Sequence, residues 1–307
     1  MPPMVRPTRF LHCNLNCADV AAAAALYTDA LGLRTGMTTR TDKIDARPMG
    51  LDTATATIEA RFTYDHRGGR RSPALELVEW NKPATTGETY SDPGAMGMQA
   101  VGFEVRSIAE AVASLRAAGG VARPSTLTTV GGDRLVAAVM LDIDGVGIEL
   151  VESDVAASAT FAYVRMNCAD LHAATDWYEQ IGFERRGPLL QAVWEQAAQS
   201  AEVQVQRIGL PGDSSFELQL TTARPVSGEA KAHAAANHRG LFRMALAVED
   251  IHDAVGSVRA ANIATSDPVW VPLPGTPLGG IWASFGCDPD GVMVEFVGLP
   301  VAQLEAR

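Results

Sequence analysis

The sequence repeats one unit four times, and this repetition constrains the fold more than any other feature. The segment FLHCNLNCADVAAAAALYTDALGL at residues 10–33 is echoed by FAYVRMNCADLHAATDWYEQIGF at residues 161–183. Each copy predicts a strand, a polar N-cap residue and then a helix with an apolar stripe. Two weaker copies begin near residues 98 and 241. The four predicted caps are Asp19, Ser107, Asp170 and Asp250.

Each unit also closes on a predicted strand in which a glutamate lies between apolar residues. In order along the chain these glutamates are Glu76, Glu149, Glu217 and Glu295. In the second and fourth copies the glutamate follows the turn sequences DIDG and DPDG. The repeating unit is thus a strand, a helix and about three further strands, which predicts an α+β fold of four βαβββ modules.

The small and polar segment ESDVAASAT is suited to be a linker between two pairs of modules. We therefore expect an N-terminal domain at residues 1–155 and a C-terminal domain at residues 156–307.

The opening strand alternates polar and apolar residues. Period-two geometry places His12, Asn14 and Asn16 on one face, and Cys13, Leu15 and Cys17 on the other. The four cysteines show no paired metal-binding spacing, so we expect small buried hydrophobic residues rather than zinc ligands or disulfides.

Composition narrows the choice of partner. With 47 % hydrophobic and 20 % charged residues and no long apolar run, the chain is expected to be a globular protein of the cytoplasm. A net charge of −11 argues against a nucleic-acid surface or an anionic membrane as partner. A small molecule is the expected ligand, and a homodimer stays open as an alternative.

The strand-Asp-helix openings and the DPDG…E closing resemble the vicinal oxygen chelate superfamily, which includes glyoxalases, bleomycin-resistance proteins and extradiol dioxygenases. The resemblance covers nearly the whole chain. It implies two tandem domains, each a pair of βαβββ modules whose curled mixed β-sheets form a cup. It also implies a divalent metal in the cup, bound by one residue from the first strand and one from the last strand of each module.

The family's first-strand ligand lies seven residues before the helix cap. The residues at these places are His12, Ala100, Tyr163 and Arg243. The resemblance therefore implies that His12, Glu76 and Glu149 hold iron, manganese, nickel or zinc in the N-terminal cup, where Ala100 leaves room for water or substrate. Glu76 and Glu149 are also the expected catalytic residues. The alternative is that no metal binds and that both glutamates line a wet cleft.

For the C-terminal cup the resemblance implies Arg243 beside Glu217 and Glu295. Arginine cannot become a metal ligand, so we expect an ion pair there, within hydrogen-bonding reach of either glutamate, and no metal. A functional alternative is an anionic ligand. On this interpretation the substrate-binding residues of the two cups are Asn14, Asn16, Tyr163 and Arg243. For Asn16, hydrogen bonding to neighbouring loops is an equal alternative.

Two functions follow from the resemblance. The first is a metal-dependent lyase, isomerase or epimerase acting on a small oxygen-rich metabolite in the N-terminal cup. Ring-cleaving dioxygenase chemistry is less favoured, because the C-terminal positions that would need histidines hold Tyr163 and Arg243. The second is a metal-free binding protein that sequesters a compound, as bleomycin-resistance proteins do.

Overall fold

A computed structural model describes residues 5–89, 94–154, 156, 158–196, 199–222, 232–233 and 235–305. Its helices are α1 (Val20–Leu31), α2 (Ile108–Ala117), α3 (Leu171–Gln180), α4 (Ile251–Ala260), α5 (Val301–Glu305) and a 3-10 turn at Arg47–Met49. Among these helices none combines the length and apolar character that crossing a bilayer requires.

The strands group into the four expected modules. Module 1 contains β1 (Arg9–Asn16), β2 (Arg34–Ile44), β3 (Ala56–Tyr64) and β4 (Ala74–Lys82). Module 2 contains β5 (Gly97–Val105), β6 (Val121–Arg123), β7 (Ser125–Thr129), β8 (Arg134–Val136), β9 (Ala138–Leu141) and β10 (Gly147–Glu152). Module 3 contains β11 (Thr160–Cys168), β12 (Glu184–Arg185), β13 (Leu190–Gln196), β14 (Gln199–Gly209) and β15 (Glu217–Thr222). Module 4 contains β16 (Gly240–Val248), β17 (Val269–Leu273), β18 (Gly279–Cys287) and β19 (Met293–Gly298).

The caps form as the repeat predicts. The Asp19 carboxylate accepts from the backbone N–H groups of Ala21 and Ala22, and Asp170 accepts equivalently at the start of α3. Helix α1 ends at Gly32, whose φ of 69° is in the left-handed region that glycine reaches without strain. Local sequence therefore determines the helices.

The described strands form two curled mixed sheets, and the modules pair differently from our expectation. One sheet has the order β17-β18-β19-β16-β1-β4-β3-β2, and the other runs β6-β9-β10-β5-β11-β15-β14-β13-β7-β8 with β12 beside β14. Module 1 thus joins module 4 through the antiparallel pair β1 and β16, and module 2 joins module 3 through β5 and β11. We call the concave faces of these sheets cup 1 (modules 1 and 4) and cup 2 (modules 2 and 3).

The expectation that modules 1 and 2 share one cup is therefore wrong. The physical reason is that all four modules present similar first-strand edges, and the repeat does not specify which two edges pair. Along the chain, a division at residues 155 and 156 remains a prediction; Val155 and Ala157 of the proposed linker lie outside the described residues.

Modules that are neighbours in sequence are linked by buried hydrogen bonds instead of strand pairing. In each link a helix tyrosine of one module contacts the first aspartate of the DIDG or DPDG turn of the next module. The Tyr27 hydroxyl on α1 donates to Asp142 of module 2 at 3.0 Å, and Tyr178 on α3 donates to Asp288 of module 4 at 3.0 Å. Burial raises the pKa of Asp142 to about 7 and that of Asp288 to about 6, although hydrogen bonds oppose the change. These two links connect cup 1 to cup 2.

The main core lies opposite the cups, where strand faces and helices of all four modules meet. Cys13, Cys17 and Cys168 are buried there as free thiols, as expected, and the alternation in β1 is the reason for Cys13 and Cys17. Cys287 is exposed, so the expectation of burial is wrong for this cysteine. It is the last residue of β18, immediately before the aspartate turn, where the chain leaves the sheet.

Candidate functional site

Four adjacent strands of the first sheet each direct one polar side chain to the floor of cup 1. The strands are β4, β1, β16 and β19, and the residues are Glu76, His12, Arg243 and Glu295. Register shifts in the β1–β16 pair flank His12. Such bulges re-aim side chains next to functional sites. The floor is therefore a product of strand order and of local irregularity in β1.

Arg243 bridges the two carboxylates. Its Nε donates to Glu295 Oε2 at 2.8 Å, and its Nη2 donates to Glu76 Oε2 at 2.8 Å. His12 Nε2 lies 3.3 Å from Glu76 Oε2 and 3.6 Å from Glu295 Oε2. Neither His12 contact has hydrogen-bond geometry, and among the described residues this buried nitrogen has no hydrogen-bond partner. His12 Nε2 is therefore close to both carboxylates without a hydrogen bond to either one.

The four side chains of the floor are buried, and burial strengthens the electrostatic interactions between them. Exposure is 7 % for His12, 3 % for Glu76, 8 % for Arg243 and 4 % for Glu295. Burial alone would raise the pKa of Glu295, but Arg243 and His12 outweigh burial and hold that pKa at about 2. Burial would likewise lower the pKa of Arg243, and attraction to both glutamates raises it instead. Both groups are therefore charged at neutral pH.

A cavity of about 110 Å³ lies above this floor. Its walls are mostly apolar and include Leu11, Phe62, Leu273, Leu278, Ile281 and Val297. Arg9 also lines the cavity and is held by the carbonyl oxygens of Gly69 at 2.8 Å and Ser72 at 3.2 Å. Apolar walls with a few convergent polar groups are typical of small-molecule sites.

The two asparagines of β1 differ in their surroundings. Asn16 Nδ2 donates to the carbonyls of Ala236 and His238, both at 2.7 Å, and its Oδ1 accepts from Trp80 Nε1 at 3.1 Å. Asn16 thus holds neighbouring backbone, which was the alternative considered for it. Asn14 is fully buried, and neither its oxygen nor its nitrogen has a hydrogen-bond partner within the described ranges.

Cup 2 is filled by its own side chains. Arg165 Nε lies 2.8 Å from both oxygens of Glu149, and Tyr163 donates to the same carboxylate at 2.9 Å. Arg165 also donates to Thr221 at 3.1 Å and to Gln219 at 2.9 Å. The remaining space is about 30 Å³. Cup 2 therefore has little room for a ligand beside Glu149.

The predicted metal set of His12, Glu76 and Glu149 is not assembled. Glu149 lies on β10 in the other sheet, because module 2 pairs with module 3. The place expected for Glu149 is taken by Glu295. The prediction that Arg243 contacts Glu295 is confirmed, whereas Glu217 belongs to cup 2 and bonds to Gln219. Tyr163, expected beside Arg243, lies in cup 2 as well.

One residue of these sites was given no role from sequence, and another was placed in the wrong cup. Arg165 shares a strand face with Tyr163, so the alternation of β11 was an available signal. Glu295 was recognised through the repeat and was correctly expected beside Arg243, but it was placed in a different cup from His12 and Glu76. Finding it as a neighbour of His12 requires the strand order.

The donor set on the floor of cup 1 does not suit a divalent metal while Arg243 is in place. The carboxylate oxygens nearest the centre already accept from the guanidinium, and a metal would lie directly beside a buried cation. Throughout the described part of the chain, no group of three or more His, Cys, Asp or Glu residues is arranged to hold a metal ion.

Comparison with known proteins agrees with this architecture. The sequence model of one protein family, the Glyoxalase/Bleomycin resistance protein/Dioxygenase superfamily, matches residues 9–150 and 160–296. The chain belongs to this superfamily. No curated protein matches the sequence significantly.

Solved structures show the same fold over most of the chain. Glyoxalase I from Zea mays is 18 % identical, with a TM-score of 0.64, and the match covers 94 % of this chain and 92 % of that one. A Bacillus subtilis protein with a provisional dioxygenase assignment is 15 % identical, with a TM-score of 0.60, covering 95 % and 86 %. At these identities the likeness establishes the fold, and function must be argued from the site.

Proposed function

We propose that this superfamily member binds a small, partly apolar, oxygen-bearing molecule in cup 1 and transfers a proton on it, as an isomerase or lyase does. The observation that carries the proposal is His12 Nε2. This nitrogen lies at the cavity floor between two carboxylates and has no hydrogen-bond partner among the described residues.

The cavity supports this choice of ligand. Its leucine, isoleucine and phenylalanine walls favour an apolar body, while the polar floor favours oxygen atoms at one end. At about 110 Å³ the cavity is somewhat smaller than the roughly 150 Å³ that holds benzene in an engineered protein core. The buried end of the ligand is therefore no larger than a small ring or a short branched chain.

The proposed step is an internal proton transfer. His12 acts as a base in its neutral form. It removes a proton from the carbon next to a carbonyl, the electron pair of that C–H bond forms a C=C bond, and the carbonyl π pair moves to the oxygen to give an enolate. The imidazolium is then held by Glu76 and Glu295, and the Arg243 charge compensates the added negative charge. In an α-hydroxy ketone, the hydroxyl proton moves to the enolate oxygen, the imidazolium returns its proton to the former carbonyl carbon, and an isomerisation is complete. In a substrate with a leaving group on the β-carbon, the enolate instead expels that group with its bonding electron pair, and an elimination is complete.

Hydrogen–deuterium exchange tests the proposal. The protein is incubated in D₂O with a panel of α-hydroxy ketones and α-hydroxy acids that carry one aromatic or short aliphatic group, and loss of the α-proton is followed by ¹H NMR. We expect exchange with at least one compound and a loss of roughly 100-fold or more in His12→Gln, the usual scale for a general base.

His172→Gln is the matched control, since His172 is exposed on α3 and does not line the cavity of cup 1. This variant should exchange like the wild type. Exchange that survives undiminished in a folded His12→Gln protein would contradict the proposal.

A second candidate is a protein that binds and sequesters its ligand in the same cup without chemistry. The mostly apolar cavity wall favours it, because such a wall suffices for binding. Calorimetric titration with compounds that show no exchange separates this function from catalysis, because a sequestering protein binds such compounds without changing them.

A further inference from the structure

We infer that Arg243 is a built-in cation that takes the place of the divalent metal in cup 1, so that the site works without a metal and lies one substitution away from binding one. The inference deepens the proposed function and rests on it for the location of the ligand site. It concerns how the negative charges of Glu76 and Glu295 in that site are neutralised.

The position of Arg243 is the first argument. His12, Glu76, Arg243 and Glu295 come from four consecutive strands, two from each module, and three of these side chains are of types that bind first-row metals. The fourth is an arginine whose head group lies between the two carboxylates, at 2.8 Å from each. A cation thus occupies the centre of an otherwise suitable donor set.

The contacts explain why a metal is excluded. A zinc–oxygen bond measures about 2.0–2.2 Å, so a metal bound to both glutamates would need the space and the lone pairs that the guanidinium now uses. Arg243 already balances part of the buried negative charge of the two glutamates, and a dication placed between them would be strongly repelled by the adjacent guanidinium. Arginine and metal are therefore alternatives at this floor.

Cup 2 makes the same replacement independently. There Arg165, two residues further along its strand than the position of His12 in β1, contacts both oxygens of Glu149 at 2.8 Å. An arginine from a different strand position thus neutralises the corresponding glutamate. The outcome differs, because Arg165 fills its cup while Arg243 leaves about 110 Å³ open.

The first experiment measures metal content. Wild type, Arg243→His and Arg259→His are purified without chelator, equilibrated with Co²⁺ and dialysed, and cobalt is measured by elemental analysis and visible absorption. Arg259 is an exposed arginine that pairs with Asp267 at 2.7 Å, so its variant controls for a new histidine beside a carboxylate. We expect about one tightly held Co²⁺ per chain with tetrahedral or five-coordinate absorption in Arg243→His, and none in the other two proteins.

A second variant keeps the inference open to refutation. Arg243→His combined with His12→Ala should lose the bound cobalt while circular dichroism shows an intact fold. Stoichiometric Co²⁺ in the wild type would overturn the inference, as would a folded Arg243→His protein that binds none. Neither outcome depends on proton exchange, so failure of the proposed function is detected separately by the NMR assay.

Discussion

Replacing Arg243 by methionine should destabilise the protein strongly at neutral pH and much less in acid. The substitution keeps a long side chain but leaves Glu76 and Glu295 as buried, uncompensated charges. Breaking a buried ion pair in this way costs about 3–5 kcal/mol. The pKa of Glu295 gives an independent figure, since its fall from 4.5 to about 2, at about 1.4 kcal/mol per pKa unit, corresponds to about 3 kcal/mol.

The pH dependence has a definite sign. The folded-state pKa of Glu295 lies below its ordinary value, so its stabilisation is present above pH 4.5 and is lost as pH falls toward 2. In Arg243→Met the largest cause of the lowered pKa of Glu295 is absent. The difference between wild type and variant should therefore be about 3 kcal/mol at pH 7 and shrink below pH 4.5.

Urea unfolding of both proteins at pH 7, 4.5 and 3 measures this difference. A control carries Glu76→Gln and Glu295→Gln in addition to Arg243→Met, and it should recover most of the lost stability because no buried charge is left unpaired. A variant that loses less than about 1 kcal/mol at pH 7, or the same amount at every pH, would show that the ion pairs do not determine the stability of cup 1.

Three other substitutions give separate tests. The raised pKa of Asp142 means that its stabilisation is complete below pH 3.8 and lost as pH rises through about 7, so Asp142→Asn should flatten the fall in unfolding free energy between about pH 4 and pH 7 in urea titrations. Arg165→Met should cost about 3–5 kcal/mol, measured by the same titrations, and Arg165→Lys should not restore it, because one ammonium cannot replace the guanidinium on Glu149, Thr221 and Gln219. Asn14→Leu should raise the melting temperature of the free protein by removing a buried amide without partners among the described residues, and a fall in melting temperature would count against that reading.

Local features of the fold could be predicted from the sequence because their causes are local. An aspartate accepts from backbone N–H groups two and three residues ahead, and a strand sends alternate side chains to opposite faces. The caps, the module type and the burial of Cys13 and Cys17 follow from such rules. The family resemblance rested on the same local signals, and it is confirmed.

The composition of each cup could not be predicted, because it depends on pairing between distant strands. Arg9 of β1 lies opposite Ala247 of β16, and nothing in either strand favours this pair over a pair of β1 with β5. Glu149 and Glu295 occupy equivalent places in their modules, so choosing the wrong module exchanged one for the other. A cytoplasmic location and a homodimer stay predictions.

The joining of the first and last modules has a consequence for the order in which the protein matures. Strands β5 and β11 are close in sequence, so cup 2 can assemble as soon as module 3 has left the ribosome, when loop closure is short. Strand β1 cannot pair with β16 until module 4 has been synthesised. The charged floor of cup 1, which includes Glu76, is complete only after β19. Until then a nascent chain exposes the edge of β1 and the apolar walls of cup 1, and this interval is when the chain is most exposed to aggregation and most in need of a chaperone.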